Sequence, residues 1–188
     1  VMDKGYTRFP RHMRDVLAKR LHVSLYEVDT NLIIPVEKAY PKEAYAAYAI
    51  RPHLMKLASE YASTVVLPKV QNDTQLCFEE GVEGTADMIL SKHLTGLRSH
   101  EYTHAPRGGE IYAQKALDYF IAEHLKAYEG SSNHPNKSVV SRLSPYLHFG
   151  QISPVTIYER VLASGLPCAA FIEQLVVRRE LAYNFVWY

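Results

Sequence analysis

The chain has 188 residues, 47% of them hydrophobic and 22% charged, with a formal net charge of +1 at pH 7. This composition excludes a disordered chain, and the small net charge provides no overall field that would require a nucleic-acid partner, although a local basic patch is compatible with it. The two cysteines, Cys77 and Cys168, show no metal-ligand spacing and indicate reduced thiols in a cytosolic protein. No apolar run approaches membrane-spanning length and no signal-peptide pattern opens the chain, so we expect no membrane contact.

The first 62 residues predict the last part of an α/β domain. Residues 11–21 carry their apolar side chains on one face, which predicts an amphipathic helix. Residues 22–29 and 31–37 then predict two short strands. The second is expected to be buried and parallel, because its apolar run is continuous and Pro35 stands near its end. A helix followed by a strand is typical of the tail of an α/β unit.

The next stretch is predicted to change from helix to a long connector. A helix is expected to begin at Pro41 and cover residues 42–50, to break or kink at the Arg51–Pro52 step, and to resume over residues 53–61. Residues 63–109 begin as an extended, β-branched segment and then lose periodicity among several glycines. We interpret them as a connector between two domains.

Residues 110–188 predict helices joined by short loops. The clearest helix covers 110–128, with an apolar face made of Ile111, Leu117, Phe120, Ile121, Leu125 and Tyr128. After a polar loop, Ser153 is a suitable N-cap for a helix that ends near Gly165. The last helix begins near Cys168, and its pattern reaches Tyr188 without a stop signal. We therefore expect the chain to be an internal piece of a longer protein.

The loop at residues 141–153 reads SRLSPYLHFGQIS and is the first candidate for a ligand site. Ser141 and Ser144 flank Arg142, and hydroxyl groups beside an arginine can hold phosphate oxygens. The alternative is a Ser-Pro turn that caps a helix, which is a common arrangement. The residues of this loop alone leave both interpretations open.

The last helix is the second candidate. Its spacing predicts that one face carries Phe171, Gln174, Leu175, Arg178, Leu181, Ala182 and Phe185. An arginine within an apolar face is costly unless it is paired or faces a bound anion. From the residues alone, a buried ion pair between Arg178 and a carboxylate is somewhat favoured over a ligand contact.

Other patterns of catalytic sites are missing from the sequence. His148 has no acidic or cysteine neighbour at metal-ligand spacing, so we interpret it as a packing histidine. There is no P-loop, no GxGxxG and no nucleophile elbow. The sequence therefore predicts no metal site and no catalytic residue in this chain.

The two candidate segments resemble the cryptochrome/photolyase family, and most closely its class II cyclobutane pyrimidine dimer photolyases. The resemblance is carried by SRLSPYLHFGQIS at 141–153 and FIEQLVVRRELAYNFVWY at 171–188, with YEVDTNLIIPVE at 26–37 and EAYAAYAIRP at 43–52 upstream. It implies the end of an N-terminal Rossmann-like α/β domain at residues 1–62, a connector at 63–109 and the first half of an all-helical FAD-binding domain at 110–188. The expected fold is thus mainly α with a small α/β part.

The resemblance also implies the residues of the site. Those expected to contact FAD are Tyr128, Ser141, Arg142, Leu143, Ser144, Phe171 and Arg178, and those expected to contact the damaged bases are Gln174 and Val177. The family commonly has glutamate at the position of Gln174, and glutamine can neither supply a proton nor carry charge. The tryptophans and the flavin N5 neighbour that the family uses for photoreduction are expected outside this chain.

The function implied is light-driven repair of cyclobutane pyrimidine dimers in DNA by electron transfer from reduced FAD. The expected protein is a carbon–carbon lyase and a monomer, located in the cytoplasm, with the nucleoid in a bacterium, or in the nucleus or an organelle in a eukaryote. The isolated 188-residue chain is expected to be inactive. The alternative is a cryptochrome-like FAD photoreceptor without repair activity, and a third interpretation is a helical interaction domain without a cofactor.

Overall fold

The computed structural model describes residues 1–63 and 106–188 together with Lys69 and Met88. Most of this part is helical, and its sheet has two short strands. Val1–Thr64 and Gly108–Tyr188 belong to one compact unit, and a second unit spans Val65–Arg107. The predicted connector at 63–109 lies almost entirely outside the described residues, so the predicted domain boundaries stay predictions.

The helices belong to the two described parts of the chain, residues 1–63 and 106–188. In the first part they are α1 (Arg8–Arg20), α2 (Val36–Ala39) and α3 (Ala47–Tyr61). In the second part they are α4 (Glu110–Tyr119), α5 (Leu125–Ser131), α6 (Ser144–His148), α7 (Pro154–Ala163), α8 (Ala169–Ile172) and α9 (Arg179–Trp187). A first π turn, Phe120–His124, joins α4 to α5, and a second π turn, Glu173–Arg178, joins α8 to α9.

The sheet is a small parallel pair that is connected through α1. Strand β1 (Met2–Asp3) pairs with β2 (Glu27–Val28), with Met2 opposite Glu27. The helix followed by a strand agrees with the predicted tail of an α/β unit, whereas strand β1 at Met2–Asp3 was not predicted. The predicted strand at 22–29 is nevertheless confined to two residues.

The apolar face of α1 is exposed in the described part. The helix matches the predicted one, but it buries none of its residues, and Met13 and Leu17 are 43% and 37% exposed. The amphipathic pattern therefore predicted the helix correctly. The core contact that such a pattern leads one to expect is not seen among the described residues.

The prediction of a second strand at 31–37 is wrong. The apolar residues Leu32, Ile33 and Ile34 are buried as expected, but they run as irregular backbone into α2. Side chains rather than a neighbouring strand satisfy their backbone. Oδ1 of Asp29 accepts from the N–H of Leu32 at 3.3 Å, and Oε1 of Glu180 accepts from those of Ile33 and Ile34 at 2.8 and 3.4 Å. Because these donors are already bonded, no partner strand is needed.

The prediction around Pro52 is also corrected. Residues 42–46 are not helical, and α3 instead begins at Ala47 and runs through Pro52 without a break. Proline leaves the carbonyl of Tyr48 without its helical donor. Tyr48 is 61% exposed, so water can hydrate that carbonyl and the helix can continue.

The helices of the second part follow the predicted pattern more closely. The segment predicted at 110–128 is helical from Glu110 to Ser131, although Ile111, expected on its apolar face, is 69% exposed. Oγ of Ser153 accepts from the N–H of Val155 at 3.2 Å and caps α7, as expected. The chain leaves that helix at Gly165, whose φ of 66° suits a glycine.

One main core holds these elements together. It is formed by buried aliphatic and aromatic residues of α3, α4, α5 and α7 and of the helical stretch from α8 to α9, among them Leu54, Leu117, Phe120, Leu125, Ile157, Val161, Phe171 and Val176. A smaller cluster packs Tyr6, Leu32 and Val36 against Tyr183 and Trp187 of α9. The last helix thus contacts both the N-terminal segment and the helical core.

Candidate functional site

A cleft of about 510 Å³ lies between α5, the loop before α6 and the last helix. Its volume is within the range of small-molecule sites. The residues that line it are Tyr128, Val140, Ser141, Arg142, Leu143, Ser144, Leu147, His148, Phe171, Gln174, Leu175, Arg179 and Tyr183. The structure thus brings together both segments that the sequence singled out, including seven of the nine predicted site residues.

The loop supplies hydroxyl groups and a strained backbone position. Arg142 has a φ of 55°, in the left-handed region that residues other than glycine rarely adopt. Its Nη2 donates to Oγ of Ser138 at 3.1 Å, and the N–H of Leu143 donates to Oγ of Ser141 at 3.4 Å. Strain of this kind concentrates at functional sites, because the surrounding structure must hold it. The alternative of a side-chain cap is not borne out, because the N-cap of α6 is Leu143 and no side chain caps the helix.

Aromatic rings form the wall opposite the loop. The ring of Tyr128 stands perpendicular to that of Phe171 with their centroids 5.4 Å apart, and Phe120 packs behind both. Burial raises the pKa of the Tyr128 hydroxyl, which therefore stays neutral. This wall offers flat, apolar contact area and one neutral hydrogen-bonding group.

The second π turn changes which arginine faces the cleft. A π turn inserts one extra residue into the helix, so the residues after it are rotated relative to a regular α-helix. Gln174 lines the cleft as predicted, but Arg179 lines it in place of Arg178. The spacing argument that put Arg178 on this face is wrong for that reason, and Phe185, expected on the same face, is 66% exposed.

Arg179 contains an unsatisfied donor. Its Nη2 donates to the backbone oxygen of Asn31, while its Nη1 is buried without a hydrogen-bond partner among the described residues. Its guanidinium also lies 5.3 Å from the ring centre of Tyr183. A buried guanidinium nitrogen without a partner is costly, and an anion beside it would remove that cost.

Arg178 and Val177 lie outside the cleft. The side chain of Arg178 is 57% exposed, and its Nε lies 3.8 Å from Oε1 of Glu173. Val177 is fully buried in the main core. The predicted contact of Arg178 with FAD and that of Val177 with the damaged bases therefore find no support in the geometry of the cleft, and they stay predictions.

Sequence reasoning missed four residues on the last helix. Arg179 and Tyr183 line the cleft, and Glu180 and Asn184 are polar yet buried. The side-chain oxygen of Asn184 accepts from the N–H of Ala44 at 2.7 Å. The adjacent arginines in the sequence were a signal that either could face the cleft, but the π turn that decides between them has no sequence signature.

A second, polar cavity of about 480 Å³ borders the same arginine. It is lined by Asp3, Thr30 and Asn31 of the N-terminal segment, by residues 147–150 and 152–154, and by Arg179. In the described part of the chain, no group of His, Cys, Asp and Glu side chains could hold a metal ion. None of the helices described is long and apolar enough to span a membrane.

The described part of the chain is mainly helical and has a cleft between a polar loop and an aromatic wall. No family model matches the sequence. The chain is 35% identical over its whole length to a deoxyribodipyrimidine photo-lyase of Methanothermobacter thermautotrophicus. It is also 32% identical over its whole length to one of Arabidopsis thaliana, and 30% identical over 97% of its length to one of Potorous tridactylus.

The fold is similar to that of a solved photolyase. The crystal structure of a bacterial class III photolyase from Agrobacterium tumefaciens matches the whole chain with a TM-score of 0.65 and 19% sequence identity. The chain belongs to the photolyase family. It spans 41% of the length of the archaeal relative, 40% of the plant one and 34% of the marsupial one.

Proposed function

We propose that the protein to which this chain belongs repairs cyclobutane pyrimidine dimers in DNA by light-driven electron transfer from reduced FAD. The observation that supports the proposal is the cleft between the loop at 141–144 and the last helix. The names of the relatives support photolyase activity and DNA repair at the level of the family. Because the chain spans only about two fifths of those relatives, the proposal concerns the intact protein, and the isolated chain is expected to be inactive.

The chemistry of the residues that line the cleft is suited to FAD. Tyr128 and Phe171 offer flat contact area, and the hydroxyl groups of Ser141 and Ser144 line the same space. Arg179 lines the cleft, and its guanidinium supports an anionic group there, which in FAD is the diphosphate. These residues would bind the cofactor and hold its orientation.

When bound, FAD supplies light absorption and one-electron transfer, and the protein supplies position and electrostatics. The lesion is weakly paired in the duplex, so flipping it out of the helix costs less than flipping a normal base. Gln174 lines the cleft and is exposed, which puts it at the cleft mouth. There its amide can hydrogen-bond a pyrimidine carbonyl of the flipped lesion.

A cryptochrome-like photoreceptor is the second candidate, and Gln174 is the observation that favours it. An amide replaces the carboxyl group that the resemblance leads us to expect there. The resemblance of the other segments to class II enzymes supports repair instead.

The test is dimer repair by the intact protein. We expect it to convert thymine dimers in a duplex to thymines under blue or near-ultraviolet light, and to leave them unchanged in the dark. Loss of the dimer is measured by the return of absorbance near 260 nm and by restriction of a site that the dimer blocks. An intact protein that carries flavin but repairs nothing in the light supports the photoreceptor.

A further inference from the structure

Of the two adjacent arginines on the last helix, Arg178 is the one that does not line the cleft. The second π turn separates two adjacent arginines, so that Arg179 lines the cleft and Arg178 lies on the outer surface. The contact of Arg178 with Glu173, at 3.8 Å, is too long for a hydrogen bond. Among the described residues, Glu173 is the acidic side chain within ion-pair distance of this guanidinium.

The same carboxylate is already occupied by another arginine. Nε and Nη2 of Arg51 donate to the two oxygens of Glu173 at 2.9 and 2.7 Å, in a bidentate pair. The hydrogen bonds from Arg51 lower the pKa of Glu173, which therefore stays ionised at neutral pH. One carboxylate thus faces two guanidinium groups, and the cluster Arg51–Glu173–Arg178 has a net charge of +1 on an accessible surface.

The cluster stands beside the cleft mouth. Glu173 directly precedes Gln174, and Arg178 follows Gln174 by four residues, within a single turn of this π-helical segment. A base that contacts Gln174 remains joined to its sugar and phosphate. A strand that places a base there must therefore pass its backbone close to this cluster.

We propose that the cluster Arg51–Glu173–Arg178 binds one backbone phosphate of DNA at the cleft mouth, in the docked duplex before a base is flipped as well as after. The inference rests on the proposed function. Arg178 makes the contact, because its planar guanidinium is exposed and lacks a hydrogen-bonded carboxylate, and this group matches phosphate oxygens. Arg51 is held on Glu173 and adds charge. A phosphate contact orients DNA without reading bases, so damaged and undamaged duplexes should depend on it equally.

The experiment measures DNA affinity of the intact protein in the dark across a range of salt concentrations. The probes are a duplex with one thymine dimer and the same duplex undamaged. For Arg178→Gln we expect binding to both duplexes to weaken roughly 3- to 10-fold at low salt, and the slope of log K against log salt to fall by about 0.9, the value for one phosphate contact. Arg178→Lys keeps the charge and should keep the slope. Arg20→Gln, the same change at an exposed arginine that lines no cavity described above, should change neither quantity.

The outcomes separate this inference from the proposed function. A slope that stays the same in Arg178→Gln overturns the inference, as does a loss of affinity confined to the damaged duplex, since that would be a contact with the lesion. Loss of flavin in Arg178→Gln also overturns it, because it would place the side chain at the cofactor. A wild-type protein with no preference for the dimer contradicts the proposed function, while the undamaged duplex still tests the phosphate contact.

Discussion

At the scale of single residues, Gln174 is the departure with the clearest chemical consequence. The residue lines the cleft as its spacing predicted, and it is exposed rather than buried at the bottom. A glutamine amide can donate and accept hydrogen bonds, but its bonds to a neutral carbonyl are weaker than charge-assisted ones by roughly a factor of two. Its contribution to lesion binding should therefore be small but measurable.

We expect Gln174→Ala to weaken binding of a dimer-containing duplex by about 1 kcal/mol in the intact protein, because a lesion carbonyl loses its partner. Gln174→Glu should raise lesion affinity or repair efficiency modestly, and neither change should alter flavin content. The measurement is dark affinity together with the quantum yield of repair. Equal values for all three proteins would show that Gln174 does not touch the substrate.

At the scale of the elements, the two π turns explain why helical spacing described the cleft only in part. Each of the two long helical stretches that border the cleft contains one, at Phe120–His124 and at Glu173–Arg178. Phe171, before the second turn, and Gln174, near its start, line the cleft where a regular helix predicts them. Arg178 and Phe185 are not, because a π turn is a product of packing and leaves no periodic pattern in the sequence.

The segment at 31–37 was mistaken for a strand for a similar reason. Its burial was correct, but what pairs with its backbone is the carboxyl group of Glu180, which is 147 residues away in sequence from Ile33. Glu180 is 1% exposed, and its Oε2 has no hydrogen-bond partner among the described residues. Long-range pairing of a side chain with the backbone cannot be inferred from local periodicity.

This buried carboxyl group predicts a pH dependence of stability. Burial raises the pKa of Glu180 to about 7, and the N–H groups of Ile33 and Ile34 oppose the shift only in part. A carboxyl group whose pKa is raised on folding binds its proton more tightly in the folded state. The contribution of Glu180 to the free energy of unfolding should therefore be largest below the ordinary pKa of glutamate and be lost as the pH rises through 7, by about 3 kcal/mol at most.

Glu180→Gln should abolish this contribution and retain an oxygen to accept from Ile33 and Ile34. Urea unfolding of the intact protein at pH 5 and pH 8 measures it, as the difference between wild type and variant. Glu60→Gln, a change at an exposed glutamate of α3, is the control and should behave as wild type. A difference between the two pH values that is the same in wild type and Glu180→Gln would contradict the assignment.

At the scale of the whole molecule, the sequence predicted the classes of structure better than their boundaries. The helices from Glu110 onward were expected because their apolar residues recur with helical spacing, and the cap at Ser153 because its chemistry is local. The cleft was expected because two specific segments resemble a family. The contacts that join the last helix to the N-terminal part of the chain, Arg179 with Asn31 and Arg51 with Glu173, link residues far apart and needed the structure.

Flavin binding by the intact protein tests the central claim most directly. We expect the wild-type protein to bind FAD at one equivalent, measured by its absorbance near 450 nm after oxidation and by titration of the apoprotein. Arg179→Gln should weaken binding at least 10-fold, because it removes one of the two arginines that line the cleft, as the loss of a charge-assisted hydrogen bond does. Arg178→Gln, the same change one residue earlier and outside the cleft, should bind FAD like wild type. A wild-type protein that takes up no flavin, or one that loses it through Arg178→Gln and not through Arg179→Gln, would contradict the account.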